Sequence, residues 1–262
     1  MEHRWLDLDD ADRTWAARTK EFVDEVATPY LLAHQDDEWA ADPAARVPWE
    51  VLEAADTAGV RRMALPSALG GDDVSSVLTY AVVAEELARG ESALVDILLQ
   101  GWKIASMLRK AGDPGVVDPL LTRFAAEPGF LFSHCSTEPQ GSSDRWLGYD
   151  AVESAMSTTA VHDGGEWVLA GRKQYITNGP DSSLYVMYAT TTPGVAPSQG
   201  TSSFVVPRDT PGFSVGEVFE KIGGRLFNNA ELILDGCRLP DSHLLIRDTR
   251  WARRVGCSPG PR

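Results

Sequence analysis

Apolar positions in the first half of the chain recur at helical spacing. From about Asp12 to Val26, Trp15, Phe22, Val23 and Val26 fall near one face, as the 3.6-residue period of an α-helix requires. Thr28-Pro29 is expected to stop that helix, because a residue before proline is pushed out of the α region. Pro48 suits the first turn of a second helix that carries Trp49, Leu52 and Ala55 and ends before Gly59. In a third, Val74, Val77, Leu78, Ala81, Ala84 and Ala88 form one stripe, with Asp72 or Asp73 as cap and Gly90 past the end. A fourth is expected from about Ala93 to Lys110, stopped by Gly112-Asp113-Pro114-Gly115.

Near Phe130 the period changes. Short β-branched and aromatic runs follow, separated by turn residues: FLFSHCS, AVESAMSTTAV, EWVLAG, KQYITN, SLYVMYATTT, SSFVVP, GFSVGEV and AELILDGCRL. His162-Asp163-Gly164-Gly165 is a hairpin signal, since glycines supply the positive φ that a tight turn needs. The spacing predicts a compact β-barrel or sandwich, with TPGVAPSQGT (192–201) as a flexible, exposed loop. The fold class is therefore α+β, with an N-terminal helical domain over 1–129 and a middle β-barrel domain over 130–246. Residues 247–262 hold five Arg and one Asp, against 19 basic and 37 acidic residues in the rest of the chain. No apolar periodicity survives there, and this Arg-rich tail is expected to be disordered.

Composition narrows the function classes. A formal charge of −14 over 262 residues disfavours binding to nucleic acid or anionic membrane, both of which need clustered Lys and Arg to neutralise phosphates. The start, MEHRWLDLDDADR, lacks the basic and apolar regions of a signal peptide, and no run approaches the roughly 18 apolar residues of a membrane span; a cytoplasmic protein is expected. Cys135, Cys237 and Cys257 form no C-x-x-C pair, and His34, His134 and His162 have no metal-ligand spacing. Neither a disulfide framework nor a metal site is expected. Trp102 and Trp167 are read as packing residues.

The densest reactive cluster is STEPQGSSD, Ser136 to Asp144. Its backbone N–H groups and hydroxyls can form an anion-binding concavity, though such a loop is also an ordinary solvated turn. About 27 residues on comes RKQYITNG, where an aromatic, a β-branched residue and a hydroxyl, Tyr175, Ile176 and Thr177, precede an Asn-Gly turn. A third stretch, EKIGGRLFNNAELILDGCRLP, closes the strand-rich region.

The order of these three stretches resembles the acyl-CoA dehydrogenase family over roughly Leu65 to Leu245. The family's first loop reads T-E-P-x-x-G-S-D; Thr137, Glu138, Pro139, Ser143 and Asp144 match, while Ser142 stands where glycine is usual and Ser136 where an apolar residue is usual. Its second motif, G-x-K-x-[WY]-I-T-[NS], is met by Gly171, Lys173, Tyr175, Ile176, Thr177 and Asn178. Its third is met by Lys221, Gly223, Arg225, Glu231, Leu232 and Pro240.

The resemblance implies a helical domain, a β-barrel and a C-terminal four-helix bundle, with FAD between barrel and bundle and part of the site supplied by a second subunit. It implies that Cys135, Ser136 and Thr137 line one edge of the flavin, and that Ser143 reaches the pyrophosphate and lies close to the acyl-CoA. Tyr175, Ile176 and Thr177 would hold the isoalloxazine, the aromatic on its face and the Thr177 hydroxyl near N5 and O4. His134 gains interest because it directly precedes the flavin loop. Ser142 would either strain the backbone, if the family glycine has φ > 0, or add a phosphate contact through its hydroxyl.

The implied reaction is α,β-desaturation of an acyl-CoA, with electrons passed to an electron-transfer flavoprotein. The family's Glu base lies in the C-terminal bundle, so the catalytic residue is unknown in this chain, which is expected to be truncated, inactive alone, and a homo- or hetero-oligomer if functional. Two alternatives stand beside this reading. One is an inactive remnant or accessory subunit. The other is a flavin monooxygenase or nitroalkane oxidase of the same fold, from which loss of the T-E-P-x-x-G-S-D pattern would be expected.

Overall fold

The first helix announces itself in its cap. In the computed structural model, which describes residues 7–142 and 151–247, Asp9 accepts a hydrogen bond from the Asp12 N–H while Asp12 accepts one from the Asp9 N–H, closing a capping box at the start of α1 (Asp10–Phe22). Thr28-Pro29 does not end the helical path as expected. A π-turn over Val23–Ala27, with the Thr28 N–H reaching Val23 O, absorbs an extra residue, and α2 (Thr28–Ala33) then carries Pro29 in its first turn, where a missing N–H costs nothing. α3 (Trp49–Thr57) starts after Pro48, which is its N-cap rather than part of its first turn, and ends before Gly59 at φ +77°.

α4 (Val77–Gly90) corrects two expectations. Its cap is Ser76, whose hydroxyl accepts from the Thr79 N–H, and not Asp72 or Asp73. Its buried face is Thr79, Val82, Val83, Glu86 and Leu87, whereas Val77 is 81% exposed and Ala81 and Ala88 are exposed. The stripe of apolar letters misses this face because two of its members are polar but satisfied. Thr79 donates to Asp12 Oδ1 at 2.6 Å, and Glu86 pairs with Arg89 at 2.9 Å. α5 (Ser92–Ala111) follows, with Trp102 buried and its indole N–H donating to Val60 O. The Gly112–Gly115 stretch stops α5 but also starts α6 (Pro114–Ala126), capped by Asp113. Among the described residues no helix is long and apolar enough to cross a membrane.

Among the described residues eight strands follow: β1 (Leu131–Cys135), β2 (Thr159–Asp163), β3 (Glu166–Thr177), β4 (Ser182–Thr190), β5 (Thr201–Pro207), β6 (Phe213–Val218), β7 (Asn229–Pro240) and β8 (Leu244–Ile246). Their order is β6-β7-β3-β2-β4-β5-β8, with β1 parallel to β4. The β2–β4 link is a single pair, Thr159 and Thr190, so the sheet folds on itself there. Side chains from both sides of that fold meet in one core: Trp167, Leu169, Ile176, Leu232 and Leu234 from one, Cys135, Tyr185, Met187, Phe204 and Val206 from the other. EWVLAG and KQYITN form one strand rather than two, and AVESAM lies ahead of β2 rather than in it. Gly164 and Gly165 both have positive φ and make the expected hairpin. The 192–201 stretch is not a free loop throughout. Pro197–Gly200 forms a helical turn, and a Cβ on Gly200 would come within 2.5 Å of Thr192 O.

Two compact units divide the chain. One comprises Met1–Ser106, Leu121–Gly129 and Glu220–Phe227, the other Met107–Leu120, Phe130–Phe219 and Asn228–Arg262. This differs from a single cut after residue 129, since part of the third motif belongs to the helical unit. The expected tail beyond Arg247 lies outside the described residues.

Candidate functional site

The β-unit brings the first two motif stretches together. β1 ends at Cys135, and the loop after it folds back as a tight turn, with Glu138 and Gly141 exchanging backbone hydrogen bonds. Thr137 O accepts from the Gln174 N–H of β3 at 3.0 Å. Beneath that link, Lys173 Nζ donates to Glu138 Oε1 at 2.8 Å with both side chains fully buried, and the Ser157 and Thr158 N–H groups donate to the same carboxylate. Burial alone would raise the Glu138 carboxyl, but the Lys173 ammonium and the Thr158 donors outweigh it and hold the group at about 2. Glu138 is thus an anchor, charged at neutral pH and shut off from solvent.

β3 carries the second cluster, and a bulge decides which way its side chains point. Trp167, Leu169 and Lys173 are buried in alternation, so Tyr175 should point inward too. Instead Tyr175 takes a left-handed conformation, φ 57°, and one extra residue enters β3 between the pairs Lys173–Leu232 and Ile176–Ala230. The parity flips: Ile176 drops into the barrel core at 2% exposure, and Tyr175 is thrown outward at 57%. Its ring leans on Phe219, centroids 4.6 Å apart.

The strand end is then tied down from two sides. Ser133 of β1 donates to Thr177 O at 2.7 Å, and Asn229 of β7 donates through one amide nitrogen to Tyr175 O at 2.9 Å and to Thr177 Oγ1 at 3.3 Å. Asn178, also left-handed, is buried and donates to Phe132 O. Glycine is required at two points here. A Cβ on Gly171 (φ +148°) would lie 2.7 Å from Thr158 Cα, and one on Gly179 would lie 2.8 Å from Ile176 O.

Ser136, Thr137 and Thr177 are half-buried and Tyr175 is exposed, so their side chains are available to a ligand. Cys135 and Ile176 have their side chains in the barrel core, which leaves only their backbone groups to the site. His134 is half-buried, edge-on to Tyr188, with Nε2 2.9 Å from the buried phenol oxygen; burial raises the Tyr188 hydroxyl far above the ordinary range. Ser142 carries no left-handed strain, because positive φ among the described non-glycine residues is confined to Asp73, Tyr175 and Asn178; its hydroxyl lies 2.8 Å from Thr137 Oγ1. Ser143 lies outside the described residues.

Lys221, Gly223 and Arg225 of the third stretch belong to the helical unit. The Arg225 guanidinium donates to Glu38 O, Lys221 O and Glu220, and covers the Trp39 ring at 4.5 Å. Arg46 holds the other oxygen of Glu220 at 2.6 Å. Partial burial lowers the Lys221 amine to about 8 against the opposing pull of Asp96. This cluster is a clamp for the segment, built from the planar fork that only arginine provides.

Ser133, Phe219 and Asn229 also shape the site, though none of them matches a motif position. Asn229 left one signal. An asparagine opening a strand otherwise made of AELIL is a residue that strands disfavour.

Comparison with known proteins agrees with this architecture. The family models for the acyl-CoA dehydrogenase N-terminal domain and middle domain match residues 9–156 and 133–237. The cyclohex-1-ene-1-carbonyl-CoA dehydrogenase of Geobacter metallireducens is 34% identical over 71% of this chain and 47% of its own length. A probable acyl-CoA dehydrogenase of Mycobacterium tuberculosis is 32% identical over 78% of this chain and 50% of its own. The chain thus spans about half the length of these curated relatives. Among solved structures, a Mycobacterium smegmatis glutaryl-CoA dehydrogenase in complex with FADH2 superposes with a TM-score of 0.71 at 29% identity, over 91% of this chain and 56% of that one. Megasphaera elsdenii butyryl-CoA dehydrogenase shares the fold at a TM-score of 0.76, with 20% identity, over 95% of this chain and 61% of that one.

Proposed function

The chain belongs to the acyl-CoA dehydrogenase family, and from that premise we propose that its β-unit supplies one wall of an FAD site used in α,β-desaturation of an acyl-CoA thioester. The observation that carries the reading is the bulge at Tyr175. It turns an aromatic face outward beside the Thr177 hydroxyl, next to the loop of Ser136 and Thr137.

The residues fit the group. A flavin presents flat apolar faces and acceptor atoms along its edges, and this wall offers an exposed ring plus the neutral hydroxyls of Thr177 and of the Thr137–Ser142 pair, one of whose two protons is spent within the pair. The nearby carboxylate of Glu138 is sequestered by Lys173, so no negative charge from it faces the wall. When bound, FAD supplies the acceptor for the hydride removed from the acyl chain.

The chain's own residues bind and orient. Tyr175 would cover a ring face and exclude water, while Thr177 would present a donor already held in place by Asn229 to the acceptor edge, with little reorganisation needed. Ser133, Asn229 and the Glu138–Lys173 pair hold those groups still. Glu138, buried and ion-paired, takes no part in moving the substrate's proton. Ser143 is assigned to the pyrophosphate and acyl-CoA, and an electron-transfer flavoprotein to the downstream electrons.

Mixing the purified chain with FAD and then, without oxygen, with an acyl-CoA tests the reading. Retained flavin that bleaches on acyl-CoA addition is expected. Failure to retain flavin would favour an accessory or inactive chain, and oxygen consumption with a reductase but no acyl-CoA would favour a monooxygenase.

A further inference from the structure

The amide of Asn229 settles a proton. A carbonyl oxygen only accepts, so the Asn229 atom 2.9 Å from Tyr175 O is its nitrogen, not its oxygen. That same nitrogen lies 3.3 Å from Thr177 Oγ1, and Thr177 therefore accepts there. A hydroxyl has one proton; with a lone pair committed to Asn229, Thr177 keeps its O–H to donate in another direction. The backbone fixes the arrangement. Asn229 and Thr177 are cross-strand partners in the β3–β7 ladder, Asn229 O accepts from the Phe219 N–H at 2.9 Å, and the left-handed turn at Tyr175 swings its carbonyl toward the amide.

We propose that Asn229 is a positioning residue that locks Thr177 as a hydrogen-bond donor toward the flavin. This rests on the flavin reading of the site given above. Asn229 need not touch the cofactor. It acts by removing the alternative in which Thr177 spends its proton within the protein, so that a bound acceptor meets a donor already oriented.

The decisive experiment is a double-mutant cycle on the full chain with FAD, read by the visible spectrum of the bound flavin and by its dissociation constant. Asn229→Asp replaces the donor with a carboxylate that attracts the Thr177 proton and repels Tyr175 O. It should weaken FAD about tenfold, the scale of one lost hydrogen bond, and shift the flavin band in the same sense as Thr177→Val. Because Asn229 acts through Thr177, the double variant should bind no worse than Thr177→Val alone. Asn229→Ala, run through the same cycle, replaces Asn229→Asp if the latter loses its cooperative thermal transition.

Additive losses in the cycle, or a normal spectrum for both Asn229 variants while Thr177→Val is shifted, would overturn the proposal and leave the flavin reading standing. A wild-type chain that takes up no FAD, or a Thr177→Val chain that takes it up with unchanged affinity and spectrum, would remove the flavin reading and this proposal with it.

Discussion

Lys173 Nζ lies 2.8 Å from Glu138 Oε1 with neither side chain reaching solvent, and this pair joins the two stretches that form the candidate site. A buried ion pair is weak evidence for net stability, because desolvation offsets attraction, but removing one partner strands a charge. Lys173→Met removes the Lys173 ammonium from the buried Glu138 carboxylate and should cost about 3–5 kcal/mol. Lys173→Met combined with Glu138→Gln should recover most of that. Urea unfolding of the three variants checks it; a loss below about 1 kcal/mol for the single change would mean the carboxylate is hydrated in solution.

The same carboxylate sets an acid limit. Glu138 is held at about 2 against an ordinary value of 4.5, so the folded state binds its proton less tightly than the unfolded state does. Its contribution to stability is fully present above about pH 4.5 and is lost as pH falls toward 2. Stability measured across that window should drop more steeply in the wild-type chain than in Glu138→Gln. Parallel profiles would assign the acid sensitivity to other carboxylates.

Glycines at two places should answer substitution in opposite ways. Gly171 sits at φ +148° with Thr158 Cα where a Cβ would go, so Gly171→Ala must move backbone and should cost several kcal/mol, on the order of a severe core lesion. Gly164, at φ +62°, has open space around it. Gly164→Asn should change stability by less than about 1 kcal/mol, since Asn tolerates the left-handed region. Thermal melts separate the two, and equal losses would contradict the packing at Thr158.

What the sequence made legible, and what it hid, follows from the range of the forces involved. Local signals worked where local physics decides: the glycines of the β2–β3 hairpin and the change of period near Phe130. The α4 face was hidden because Thr79 and Glu86 are buried through partners, Asp12 being 67 residues away. The π-turn at Val23–Ala27 was hidden because proline in a helical pattern reads as a stop unless an extra residue absorbs it. At the site, the motif letters pointed to Tyr175, Ile176 and Thr177, yet only the bulge distinguishes them, sending Ile176 inward and Tyr175 out. Asn229 is invisible from the motif because its role is a cross-strand contact.

The bulge makes one prediction that runs against strand propensity. Tyr175 lies within β3, where a β-branched residue such as Val would ordinarily be favoured over Asn. At φ 57° the order should reverse, because a β-branched side chain in the left-handed region is a steric outlier while Asn is accepted there. Tyr175→Val should therefore be less stable than Tyr175→Asn by about 1–2 kcal/mol, although both lose the contact with Phe219. Both should weaken FAD alike by removing the aromatic face, so stability and cofactor affinity would not track each other across the pair. Urea midpoints and flavin dissociation constants for the two variants decide it. Equal stabilities would mean that the strand runs straight through Tyr175 in solution, in which case Tyr175 would face the core and the exposed wall proposed for the flavin would be lost.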